Sequence, residues 1–181
     1  MAASTVGSDE ADRTRDQPLV PPLNFALVEA GIYRSGHPNP KNYRFLEKLG
    51  LRSIIFLAKE DYPPDMLEWT RQHSIAFYQY RTAGNKEPFT EMDPDRVAGL
   101  LSLMLDVRNH PMLVHCNKGK HRVGCLIGCL RKLQNWSLTS ILAEYKRLAA
   151  KQNIADEEVT AAPHDMHASS HEPSTHCRVV Y

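Results

Sequence analysis

A chain of 181 residues with 42% hydrophobic content can bury one sizeable core, and its formal net charge of +1 excludes a general nucleic-acid binder. No apolar run is long enough to cross a membrane, and the opening MAASTVGSDEADRTRDQP is polar with mixed charge, unlike a secretory signal. Four cysteines without scaffold spacing point away from a disulfide-built secreted fold and toward a reducing compartment, cytoplasmic or nucleocytoplasmic.

Residues 1–18 have no periodicity to bury and are expected to form a disordered lead. Pro21 and Pro22 open the folded domain, expected over residues 19–155. Phe25–Val28 and Ile32–Ser35 look like two short strands turned at Gly31. Arg34 ends the second strand near a loop containing His37, where it is either a solvated charge or a group close to a phosphate site. Asn39 and Pro40 start a helix that Gly50 stops. The near-continuous apolar run Ile54-Ile55-Phe56-Leu57, inside a strand placed over Leu51–Ala58, reads as buried on both faces. Pro63 and Pro64 open a second helix, and residues 75–80 form the next strand. Strands alternating with helices predict an α/β domain around a mostly parallel sheet.

The segment from Thr82 to Asp93 is a long loop dense in turn residues, which marks it as functional. Asp93 and Pro94 cap a helix with an apolar stripe at Val97, Leu100, Leu101, Met104 and Leu105, expected to end near Asn109-His110-Pro111. A strand then runs into Met112-Leu113-Val114-His115-Cys116, and Asn117-Lys118-Gly119-Lys120-His121 separate Cys116 from Arg122 at the mouth of a helix. Inward N–H groups of such a strand-to-helix loop, with the positive helix end, hold a tetrahedral oxyanion. The same field favours the thiolate of Cys116, a nucleophile in line with a bound phosphoryl group. Arg122 supplies the planar fork that grips two phosphoryl oxygens. Phosphate loop and 84–89 loop should meet at the carboxyl ends of the strands.

The helix expected over residues 123–134 is apolar on nearly all sides and so reads as central and buried. Cys125 and Cys129 share one of its faces as core thiols, a redox partner for Cys116 being the other reading. Ser137 caps a last helix reaching about Lys151. Residues 156–181, crowded with His164, His167, His171, His176 and Cys177, read as a flexible tail or, alternatively, as a metal-binding tract.

Cys-x5-Arg with a loop glycine is the signature of cysteine-dependent phosphatases. VPPLNF, GIYRSGHP, LGLRSIIFLAKEDYP, GNKEPF, HCNKGKHRVGCLIGCLRKLQNWSLTSI and EYKRLAA resemble the plant and fungal atypical dual-specificity phosphatases over residues 20 to about 160. The resemblance implies metal-independent hydrolysis of the 5-position diphosphate of inositol pyrophosphates, with no cofactor. This chain departs from the family at Asn153, where an Arg is expected, in lacking the final aromatic-rich helix, and at Val123, where the family carries Thr or Ser.

Two-step phosphoryl transfer ordinarily uses a carboxylic acid that protonates the leaving oxygen. Glu87, 29 residues before Cys116, is the best-placed candidate, with Glu91 and Asp93 as alternatives and a structural ion pair to Lys86 or Arg81 as the competing role. A phosphoanhydride leaves well without strong protonation, and Lys118, Lys120 and His121 suit a ligand with several phosphates. Substrate binding is therefore assigned to Asn117, Lys118, Gly119, Lys120 and His121, with Asn85, Lys86 and Arg34. His115 is expected to orient the loop from behind. A phosphotyrosine or dual-specificity protein phosphatase and a phosphate-binding pseudophosphatase remain as alternatives.

Overall fold

The computed structural model describes residues 18–82 and 93–150. The expected lead before residue 18, most of the 82–93 loop and the tail lie outside the described residues. Five strands, β1 (Ala26–Glu29), β2 (Ile32–Ser35), β3 (Ser53–Leu57), β4 (Ala76–Tyr80) and β5 (Met112–His115), form one sheet in the order β1-β2-β5-β3-β4. Only β1 is antiparallel to its neighbour; β2, β5, β3 and β4 run parallel, in the expected α/β arrangement.

The side-chain alternation of the inner strands divides the core in two. Ile55, Leu57, Met112 and Val114 face helices α3 (Pro94–Leu105) and α4 (His121–Leu133) through Leu100, Leu101, Met104, Leu126 and Leu130. Ile54, Phe56 and Leu113 face helices α1 (Tyr43–Leu49) and α2 (Pro64–Gln72) through Leu46, Met66 and Trp69. All five residues of β3 and all four of β5 are buried, Ser53 and His115 included, as the apolar runs Ile54–Leu57 and Met112–Val114 require when both faces are covered.

Helix α5 (Leu138–Ala150) forms an outer layer on α4. The two approach at glycines: a Cβ on Gly124 would lie 2.8 Å from the Tyr145 ring, and one on Gly128 would lie 3.4 Å from Ile141 Cγ2. Buried Arg131 locks the pair, donating to both Glu144 carboxylate oxygens at 3.0 Å and to the Val28 carbonyl at 2.8 Å.

Three expectations are corrected. The α3 stripe stops short of Leu105, which is exposed at the helix end. Beyond it the Asp106 carboxylate accepts from the Arg108 N–H at 3.0 Å and caps a separate 3-10 turn, Val107–Asn109, so the helix does not run on to Asn109. Helix α4 begins at His121, and its burial is partial: Leu133 is exposed and Cys125 and Cys129 are only half-buried. Among the described residues no helix is long and apolar enough to cross a membrane.

Candidate active site

Because β2, β3, β4 and β5 are parallel, their carboxyl ends lie together at one end of the sheet, where the described loops after β2, β3 and β5 open. The loop after β5 turns at Gly119, whose φ is +69° and where a Cβ would collide with the backbone of Ser35 and Gly36. Every carbonyl from Asn117 to Lys120 accepts from a donor outside these four residues. The Asn117 carbonyl takes the His37 N–H at 2.9 Å, and that of Lys118 takes Asn24 Nδ2 at 2.8 Å. Arg34 Nη2 donates to Gly119 O at 2.8 Å and to Lys120 O at 3.3 Å, and the latter also takes the Gly124 N–H at 2.9 Å.

In a planar trans peptide the carbonyl and the following N–H point in opposite directions. Four carbonyls tied outward therefore turn the N–H groups of Lys118, Gly119, Lys120 and His121 toward the opposite side. The Gly119 N–H identifies that side, since it donates to Cys116 Sγ at 3.2 Å. Amides, sulfur and the α4 N-terminus thus converge as a cradle for an anion.

Arg122, in the first turn of α4, is 13% exposed at its side chain. Its Nη1 reaches the Thr82 carbonyl at 3.4 Å and stands 4.0 Å from Glu60 Oε2. The Glu60 carboxyl is held below its usual range by its own backbone N–H, then by a hydrogen bond with the Asn117 side chain and the charges of Arg122 and Lys59. It is therefore an ionised group at the mouth rather than a proton donor.

Behind the loop, fully buried His115 sits in an aromatic cage, with ring centroids at 4.9 Å from Phe56 and 5.2 Å from His37. Its Nε2 lies 3.0 Å from the Tyr62 hydroxyl. Burial, reinforced by His37, brings the His115 imidazole down to about 3, while burial raises the Tyr62 phenol, so a neutral imidazole meets a protonated hydroxyl. This is the expected position behind the Cys116 loop.

The structure brings together Cys116, Asn117, Lys118, Gly119, Lys120, His121 and Arg122. Arg34 is 2% exposed and lies beneath the loop, so of its two expected roles it is the group close to the phosphate site rather than a solvated charge; its guanidinium holds loop carbonyls. Asn85, Lys86, Glu87 and Glu91 lie outside the described residues. Asp93 caps α3, accepting from the Asp95 N–H at 3.0 Å, and pairs with Arg96 at 3.5 Å. Arg81 pairs with Asp61 at 2.7 Å and donates to the Lys59 carbonyl at 2.9 Å. Among the described residues no three His, Cys, Asp or Glu side chains converge as a metal-binding group.

Asn24, Glu60, Tyr62 and Tyr145 are site neighbours that sequence reasoning missed. Glu60 and Tyr62 had a signal, since they immediately follow the buried strand β3 whose carboxyl end opens on the site. Asn24 and Tyr145 had none, because their partners are 94 and 24 residues away and no spacing rule joins them.

The profile of the tyrosine phosphatase family matches residues 19–176. The rice protein named inositol diphosphatase DSP1 is 52% identical over 139 residues, covering 76% of this chain and 63% of the rice protein. The Saccharomyces cerevisiae inositol diphosphatase SIW14 is 48% identical over 132 residues, which cover 72% of this chain and 47% of the yeast protein. The chain thus spans less than two thirds of the length of both relatives. The solved Siw14 catalytic core superposes with a TM-score of 0.71 and 44% identity, covering 79% of this chain and 86% of that one.

Proposed function

Since the chain belongs to the tyrosine phosphatase family, among relatives that include the plant and yeast inositol diphosphatases, we propose that it is a metal-independent phosphatase acting on inositol pyrophosphates. Cys116 is the nucleophile, Arg122 the phosphoryl clamp, and the N–H groups of Asn117 to Arg122 the cradle. The observation that carries this reading is the Gly119 N–H on Cys116 Sγ, inside a loop whose carbonyls all face away.

In the first step the Cys116 thiolate attacks the terminal phosphorus of the diphosphate, a P–S bond forms, and the bridging P–O bond breaks with its electron pair on the departing phosphate ester. Arg122 follows the equatorial oxygens as charge spreads over them. Glu87 is the proposed proton donor to the departing oxygen. Water then attacks the phosphocysteine and gives its proton to the Glu87 carboxylate, the P–S bond breaks with its electron pair on sulfur, inorganic phosphate leaves, and the thiolate and the Glu87 acid return. Lys86, Lys118, Lys120 and His121, with Asn85, hold neighbouring phosphates of the ring, and the favoured position is the 5-diphosphate. A chain of this chemistry suits the reducing cytoplasm or nucleus, where a thiolate persists.

The test is a comparison of kcat/KM on 5-diphosphoinositol pentakisphosphate and on a phosphotyrosine peptide panel, with and without EDTA. The expected result is preference for the inositol substrate, unchanged by the chelator. Preference for peptides would support the protein-phosphatase reading that the family description favours. Binding of both without turnover would leave a pseudophosphatase, and loss of activity in EDTA would overturn the cysteine mechanism.

A further inference from the structure

Helix α5 lies outside the sheet and supplies none of the loop residues, yet it reaches the cradle at one point. The Tyr145 hydroxyl is 2.8 Å from His121 Nδ1. The aromatic ring is fixed independently of that bond, because it rests on Gly124 in the first turn of α4, in space that any Cβ would fill. Tyr145 is half-buried, with Arg34, Cys125 and Cys116 in its electrostatic surroundings, and burial raises its phenol, so the hydroxyl keeps its proton.

A neutral imidazole carries its proton on one nitrogen only, and the partner of the other decides which. When the Tyr145 O–H donates to Nδ1, the proton resides on Nε2, at the far side of the ring. His121 itself is exposed at the rim of the cradle. In that form its Nε2–H is a donor available to an anion.

We propose that Tyr145 is a positioning residue that holds His121 as an Nε2–H donor to a phosphate beside the one in the cradle, making α5 part of substrate recognition. The proposal rests on the multi-phosphate reading above and specifies its recognition: a ligand with one phosphate uses the cradle alone, whereas a polyphosphate also uses the His121–Tyr145 pair.

The test is Tyr145→Phe, which keeps the ring on Gly124 and removes only the hydroxyl. The expected KM for 5-diphosphoinositol pentakisphosphate rises about 2- to 10-fold, the equivalent of one hydrogen bond, while that for an aryl phosphate moves by less than 2-fold. In a His121→Ala background the same change has no further effect. Nitrogen-15 spectra of the ring show His121 as the Nε2–H form in the parent and as a mixture in Tyr145→Phe. Equal KM changes for both substrates, additive effects of the two substitutions, or an unchanged tautomer would each overturn the proposal.

If the parent protein fails to turn over the inositol substrate, the functional reading fails by itself. The tautomer and the binding of inositol hexakisphosphate to Cys116→Ser still test the Tyr145 proposal. In that binding assay Tyr145→Phe should weaken the ligand by the same factor, and no weakening would overturn it.

Discussion

At the scale of the residue, Val123 is the position where local chemistry and expected mechanism differ most. It is fully buried in the core cluster that includes Leu126 and Ile127, directly after Arg122. Members of the resembled family carry a hydroxyl there that can donate to the cysteine sulfur as the phosphoenzyme is hydrolysed, and valine has the shape without the donor. The Gly119 N–H on Sγ supplies part of that stabilisation. A hydrogen bond to a charged group contributes roughly 1.5–3 kcal/mol, about 10- to 100-fold in rate. Breakdown of phosphocysteine should therefore be slow, giving a burst of product before a slower steady state. Val123→Thr is expected to raise the steady-state rate by a factor in that range with the burst rate nearly unchanged, as read by stopped-flow phosphate release. A parent without a burst and a variant without a gain would mean that Gly119 alone suffices.

At the scale of the element, the cradle depends on what stands behind it. Arg34 bridges two consecutive carbonyls from a strand 85 residues earlier in the chain, in a site that solvent does not reach. Arg34→Met removes the donor and leaves Gly119 O buried without a partner, at a cost of about 1–3 kcal/mol. The expected outcome is a lower melting temperature together with about 10-fold weaker inhibition by vanadate, because the peptide planes are released. Asn24→Ala removes the donor to Lys118 O at an exposed position, where water can replace it, and is expected to do much less. Equal vanadate inhibition for Arg34→Met and the parent would refute the outward-tied carbonyls as the source of the cradle.

The same contrast explains what the amino-acid order revealed. Strands β2, β3 and β5, the Asn39 cap and the left-handed stop at Gly50 were all legible, because each depends on residues a few positions apart. Cys116 and Arg122 were legible for the same reason. The burial of Arg34 was not, since it is stabilised by carbonyls that only the fold brings near. The exposure of Leu105 was missed because a helical stripe does not show where Asp106 will break the helix.

At the scale of the whole molecule, the parallel order β2-β5-β3-β4 brings distant loops to one end of the sheet, and it also builds a pH-sensitive foundation under the site. Strand polarity was predictable from the alternation of strands and helices, but the packing of His115 against His37, Phe56 and Tyr62 depends on the strand order. His115 is brought to about 3 by burial and by His37, and His37 is itself lowered by burial. Unfolded histidine binds its proton near pH 6.5, so below that pH the unfolded chain takes up protons that the native His115 refuses until about pH 3. Stability is thus full above about pH 6.5 and falls as pH drops through that window, with a slope of about 1.4 kcal/mol per pH unit for each such proton once the unfolded histidine is fully charged. Urea unfolding of the parent should weaken between pH 7.5 and 5.0 by on the order of 2 kcal/mol more than that of His115→Phe, which keeps an aromatic ring in the cage but has no site for the proton. That variant should start lower at pH 7.5, because the Tyr62 hydroxyl loses its partner, and the two stability curves should converge toward acid pH. Parallel curves would show that His115 takes no part in the acid lability, leaving His37 and the carboxylates to account for it.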